Sequence, residues 1–180
     1  MKKLNIDFDE LQKAMEDTER DAFDYFLDIG TGDIIILSED IISRAQQVLD
    51  ESYDEDMAEY EEVEFDEEHD IPEWMEDEIE LALGIFLFEK DRYVRIPERD
   101  HGSGFTAMRE FTDSLEDLQL REHLQNILDG KGAFRKFKDA LAPYPKERKQ
   151  WYGFNAKFAK KEIEIWLKSI GVEFNNDNKI

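Results

Sequence analysis

Residues 22–37 read AFDYFLDIGTGDIIIL. Two runs rich in aromatic and β-branched residues flank Gly30-Thr31-Gly32-Asp33, where glycine tolerates the positive φ that tight turns need. The stretch predicts a β-hairpin. Its second arm, Ile34–Leu37, is apolar without alternation, which predicts a strand buried on both faces. Further on, Arg92-Tyr93-Val94-Arg95-Ile96 alternates polar with apolar side chains, as a half-buried strand does, and Pro97 stops it. A third strand beside the hairpin is the expected place for it.

Helical patterns surround this sheet. Phe8, Leu11 and Met15 recur at turn spacing within 7–20, with Asp7 or Asp9 near the start as a cap. Ser38 or Asp40 can cap a helix over 41–49, and Pro72 with Glu73 opens another that grows apolar toward Phe88. The second half is helical apart from strand 92–96. A loop at Asp100-His101-Gly102-Ser103-Gly104 leads to a helix with Phe105, Met108, Phe111 or Thr112, and Leu115 on one side, with Ser103 the first choice of cap and Asp100 the other. Helices at 117–128, 132–141 and 146–170 follow, closed by Gly130, the Pro143/Pro145 pair and Gly171. On a 100° wheel Phe134, Phe137, Ala140 and Leu141 share one arc, and Trp151, Phe154, Phe158, Ile165 or Trp166 and Ile170 form a stripe on the last helix. The fold class is α+β: a small antiparallel sheet (hairpin 22–37 plus strand 92–96) with a helical C-terminal half. The organisation reads as one domain over 1–174, carrying an acidic segment at 50–70 and a loose tail at 175–180.

Length and composition bound the rest. A chain of 180 residues with 41% apolar residues and 13 phenylalanines can bury a core despite its 38% charged residues. Cysteine is absent, which excludes disulfides and thiolate chemistry and fits a reducing cytoplasm. The start, MKKLNIDFDE, has no apolar run, so no signal peptide is expected. The longest apolar run, Leu81–Phe88, is too short for a bilayer, and no membrane partner is expected. The net charge of −23 is uneven: residues 1–90 hold 6 basic and 31 acidic side chains, residues 91–180 hold 17 and 15. Residues 50–80 contain eighteen acids and no Lys or Arg, whereas 129–161 contain ten Lys or Arg against three acids. Such asymmetry points to a partner surface, to solubility, or to attraction between the halves.

The stretch 130–171, GKGAFRKFKDALAPYPKERKQWYGFNAKFAKKEIEIWLKSIG, concentrates the basic and aromatic residues. Its Gly130-Lys131-Gly132-Ala133-Phe134-Arg135-Lys136-Phe137-Lys138-Asp139 block, with Trp151–Phe154 and Tyr93-Val94-Arg95-Ile96-Pro97-Glu98-Arg99-Asp100, resembles a bacterial family called uncharacterised protein family 0158. Phe26-Leu27-Asp28 and Gly32-Asp33 in the hairpin extend the resemblance over most of 20–171. It implies no established activity, so no catalytic residues carry over.

Several constellations invite chemistry, each beside a plainer reading. Gly130-Lys131-Gly132 before a helix resembles a phosphate cradle, yet it lacks the Lys-Ser/Thr pair of a nucleotide loop, and a helix junction explains it better. Lys131, Arg135, Lys136, Lys138, Arg148 and Lys149 can neutralise phosphates while Trp151 or Tyr152 stacks on bases; the plainer reading is a helix pair with buried rings and solvated lysines. Arg95 and Arg99 are candidates for an anion, most simply if they gather with Asp28 and Arg135 around one cleft. The acidic segment is a solvated stretch, a cover for the basic helices or a mimic of nucleic acid. His69, His101 and His123 are scattered, no calcium-loop pattern appears, and no cofactor or metal is expected. His101 beside Ser103 suggests a hydrolase, but no nucleophile elbow accompanies them. The leading expectation is a non-catalytic protein-interaction or regulatory module with an unidentified protein partner. Nucleic-acid binding by 131–161 comes second and an unrecognised hydrolase third.

Overall fold

The computed structural model describes residues 3–52 and 71–175. Most of the acidic segment (53–70, with His69) and the tail residues 176–180 lie outside the described residues. Helices α1 (Phe8–Glu16), α2 (Glu39–Ser52), α3 (Glu73–Leu83), α4 (His101–Asp113), α5 (Leu118–Leu128), α6 (Ala133–Leu141) and α7 (Pro145–Ser169) accompany strands β1 (Phe23–Asp28), β2 (Ile34–Ser38) and β3 (Tyr93–Arg95). The expected α+β class and helical C-terminal half are therefore present. The chain forms two compact units, 1–98 with 172–180, and 99–171.

In the first unit the hairpin forms as expected. β1 pairs antiparallel with β2 (Phe26 opposite Ile35, Leu27 opposite Ile34) and on its other side with β3 (Leu27 opposite Val94), giving the order β2-β1-β3. Gly32 takes φ 91° in the turn, and a Cβ there would stand 2.7 Å from the Asn5 carbonyl oxygen. Phe26 and Leu37 join a core with Ile41, Ala45 and Val48 of α2 and Met75, Ile79, Ala82 and Leu83 of α3. The expectation that β2 is buried on both faces fails at Ile36, which is 58% exposed. Side chains alternate along a strand, so Ile36 points away from the core that holds Leu37, and among the described residues β2 has no strand neighbour on its outer side.

Ion pairs lock this sheet. The Asp28 carboxylate, 4% exposed, accepts from Arg92 Nε (3.0 Å) and Nη2 (2.7 Å) and from the Gly30 backbone N–H (2.8 Å). One side chain thereby ties the hairpin turn to the start of β3. The buried Arg20 guanidinium donates to the carbonyl oxygens of Ala14 (2.9 Å) and Ile96 (2.5 Å) and to Asp24 (2.9 Å), linking α1, β1 and the end of β3. Tyr25 donates its hydroxyl to Asp17, which pushes the phenol up to about 12 and holds Asp17 low. At the end of the unit Leu4 bridges Phe174, whose ring meets Phe8 edge-on.

The second unit is helical. α4 begins at His101, so the expected loop over 100–104 is its first turn; Asp100 caps it by accepting from the Gly102 N–H, in place of Ser103. Asp117 caps α5 through Gln119 and Leu120, and Gly132 starts α6 in the left-handed region at φ 67°. Pro145 sits in the first turn of α7, where its missing N–H costs nothing. Phe111 of α4, Phe137 of α6 and Trp151 and Phe154 of α7 form a ring cluster with centroids 5.1–6.5 Å apart. Leu120, Leu124, Leu128 and Leu141 complete the core. On α7 the fully inward positions are Trp151, Ala159, Ile163 and Leu167; the expected stripe meets this face at Trp151 and follows its flank at Phe154, Phe158 and Ile170, and of the pair Ile165 or Trp166 it is Trp166 that is half-buried while Ile165 is exposed.

Two predictions follow from the locked hairpin. Arg92 holds the Asp28 carboxyl below its ordinary value, with burial opposing, so the pair stabilises the fold above about pH 4 and loses that effect as pH falls through the lowered native pKa. Asp28→Asn should cost roughly 1–3 kcal/mol at pH 7, reduced from a fully buried pair because Arg92 is half-exposed, and the deficit should shrink in urea melts near pH 3. Gly32→Ala should cost about 1–3 kcal/mol through positive φ and the Asn5 contact, measured as a lower urea midpoint at unchanged slope.

Candidate functional site

The second unit carries the charge imbalance on α6, α7 and the turn before them. Ala133, Phe137 and Leu141 point inward from α6, one turn apart, which forces Phe134, Arg135, Lys136 and Lys138 outward. The same logic applies to α7. Trp151 enters the ring cluster at 7% exposure, so its neighbour Tyr152, 100° further round, stands out at 61%. Arg148 and Lys149 precede Tyr152 by one turn and are also exposed.

Of the eight residues expected in a basic aromatic patch, seven are on the surface: Lys131, Arg135, Lys136, Lys138, Arg148, Lys149 and Tyr152. Trp151 is a core residue. Among the described residues no carboxylate pairs with any of the six cations. Phe134, which the wheel placed in the core arc, is 43% exposed and leans on the first turn of α4, with its ring edge-on to His101 at 5.9 Å. It adds an apolar contact beside Lys138, four residues further along the same helix.

Other candidates are committed elsewhere. Arg95 Nε meets Asp24 at 2.7 Å, and Arg99 meets Glu162 at 3.3 Å and Asn155 Oδ1 at 2.8 Å, both on α7. Asp28 is taken by Arg92. Arg95, Arg99 and Asp28 thus serve as internal ties. No side chain caps α6 at Gly132, in keeping with a junction that ends one helix and starts the next. Ser103 Oγ is enclosed in the first turn of α4 and has no hydrogen-bond partner among the described residues, while His101 is exposed against Phe134. No hydrogen bond couples the two.

One feature escaped the sequence reading. An open cleft of about 600 Å³ in the first unit is lined by Asp7, Asp9, Glu10 and Asp33, with no basic side chain among the described residues that line it. It arises because the hairpin turn at Gly32 comes against Asn5, bringing together carboxylates more than twenty residues apart. Asp7 is already in use as the α1 cap, accepting from the Glu10 N–H at 3.1 Å. Among the described residues no cluster of His, Asp and Glu has the arrangement to hold a metal ion. No helix among them is long and apolar enough to cross a membrane.

The contrast between adjacent rings is directly measurable. Trp151→Ala should cost about 3–5 kcal/mol, because it leaves a cavity between Phe111, Phe137 and Phe154. Tyr152→Ala should change stability by no more than about 0.5 kcal/mol. Urea melts of the two variants give the comparison.

No curated protein and no solved structure matches this chain. A family model described as an uncharacterised protein family, UPF0158, matches residues 75–180. The match begins at α3, so it takes in β3, the helical unit and every residue of the basic surface but leaves the hairpin outside. Spanning more than half of the sequence, it assigns the chain to the uncharacterised protein family UPF0158.

Proposed function

We propose that the protein is a non-catalytic interaction module and that α6 and α7 form its working surface for an acidic polypeptide. The observation that carries this reading is the set of six exposed cations without a carboxylate partner among the described residues, in a chain with twice as many acids as bases. Acidic side chains are abundant, yet none among the described residues takes up the charge of these six. Apolar contact comes from Tyr152 and Phe134, rings that a partner can cover while the cations supply orientation and on-rate.

Charge also favours a polypeptide over nucleic acid. A duplex presents one negative charge per about 1.7 Å, and a protein at −23 opposes such a polyanion at long range. With Trp151 in the core, Tyr152 is the remaining stacking ring of the expected pair. A short acidic segment with apolar anchors meets far less repulsion and uses the same contacts.

The test titrates the full chain with a labelled Glu/Asp-rich peptide bearing two leucines, followed by anisotropy. Lys131→Gln/Arg135→Gln/Lys138→Gln and Arg148→Gln/Lys149→Gln should each weaken binding at least about tenfold while circular dichroism stays unchanged. Equal affinity in wild type and both variants overturns the proposal. Tighter binding of a single-stranded oligonucleotide, falling steeply with salt and lost in the same variants, transfers the surface to nucleic acid.

A further inference from the structure

The first unit carries a second surface with the opposite charge. α3 is anchored by Met75, Ile79, Ala82 and Leu83, which pack into the core with α2, so the helix itself is firmly placed. Its other side holds Trp74 at 74% exposure and, two turns along, Leu81 at 39%. Glu78 projects between them and Asp77 beside them, with Glu73 and Glu80 on the flank; all four are exposed. α3 has no Lys or Arg, and no basic side chain pairs with these four carboxylates among the described residues. A tryptophan exposed on a rigid helix is a large apolar area, and among the described residues of this unit it is not part of the core.

From this pairing we infer that the Trp74–Leu81 face of α3 is a docking surface for a cationic amphipathic segment. The chemistry is complementary at each contact. Indole is the best side-chain acceptor for a guanidinium or ammonium lying over its ring, and Asp77 and Glu78 supply charge-assisted hydrogen bonds to the same groups. Leu81 receives an apolar side chain of the partner about two turns away. The net charge of −23 steers basic partners toward the protein and opposes a second copy, which is why the occupant is a Lys/Arg-bearing polypeptide. This surface is independent of the α6/α7 reading, since it lies on another unit and takes the opposite charge.

The probe is an 18-residue amphipathic peptide of arginine, lysine and leucine, titrated into the full chain by calorimetry. Tryptophan emission is followed in parallel. The wild type should bind with a blue shift, since Trp74 moves from water into contact. Trp74→Ala should weaken binding at least about tenfold, and Trp74→Phe should keep most of the affinity while losing the blue shift. Asp77→Asn/Glu78→Gln should weaken it severalfold and reduce its salt dependence. Because Trp74 lies outside the core, circular dichroism of these variants should match the wild type. Unchanged affinity in Trp74→Ala overturns the inference and leaves diffuse attraction to the acidic chain. A salt-sensitive dimer in sedimentation that disappears in Trp74→Ala also overturns it, by making a second copy the occupant.

Discussion

The ring cluster of Phe111, Phe137, Trp151 and Phe154 is the constraint on which the helical unit depends. Three helices contribute to it, and Phe111, Phe137 and Trp151 are large rings buried at its centre. Once Phe137 and Trp151 are committed inward, helical geometry leaves no freedom in what faces out. Arg135, Lys136 and Lys138 on α6, and Arg148, Lys149 and Tyr152 on α7, are placed on the surface by the same event that makes the core. The packing and the proposed function are two sides of the same pair of helices.

In the first unit the equivalent role falls to polar groups. A three-stranded sheet with a five-residue turn gains little from strand pairing alone. Asp28 with Arg92 closes the turn onto β3, and Arg20 collects carbonyls from two further segments. These ties also absorb the cations nearest the sheet, leaving the remaining acids to set its field. The outcome is a chain with an acidic unit and a helical unit that shows most of its cations on α6, α7 and the turn before them.

Much of this was legible in the sequence, for local reasons. The hairpin showed because Gly32 interrupts two β-rich runs, and the third strand because 92–96 alternates. The caps at Asp7 and Ser38 are short-range hydrogen bonds written in adjacent residues. The missed features are long-range or ambiguous. Asp28 and Arg92 stand 64 residues apart, and nothing in either neighbourhood names the other. The acidic cleft depends on Asn5 meeting Gly32. α7 has enough rings for two overlapping stripes, and the small Ala159 that marks the true inner face gives a weak signal. Trp151 and Tyr152 are adjacent aromatics of which only one can enter the core; the structure settles which. The sequence marks this helix only as one that opens at Pro72 and Glu73 and grows apolar toward Phe88, and only exposure separates Trp74 from Met75 and Ile79.

The most direct test of the central claim is a map of where an acidic partner touches the full-length protein. Amide chemical shifts recorded during titration with the Glu/Asp-rich peptide should move at 131–138 and 148–152, with side-chain shifts at Tyr152, while the hairpin resonances stay fixed. Shifts confined to residues outside α6 and α7, or no shifts at saturating peptide, would contradict the account and return those helices to a purely structural role.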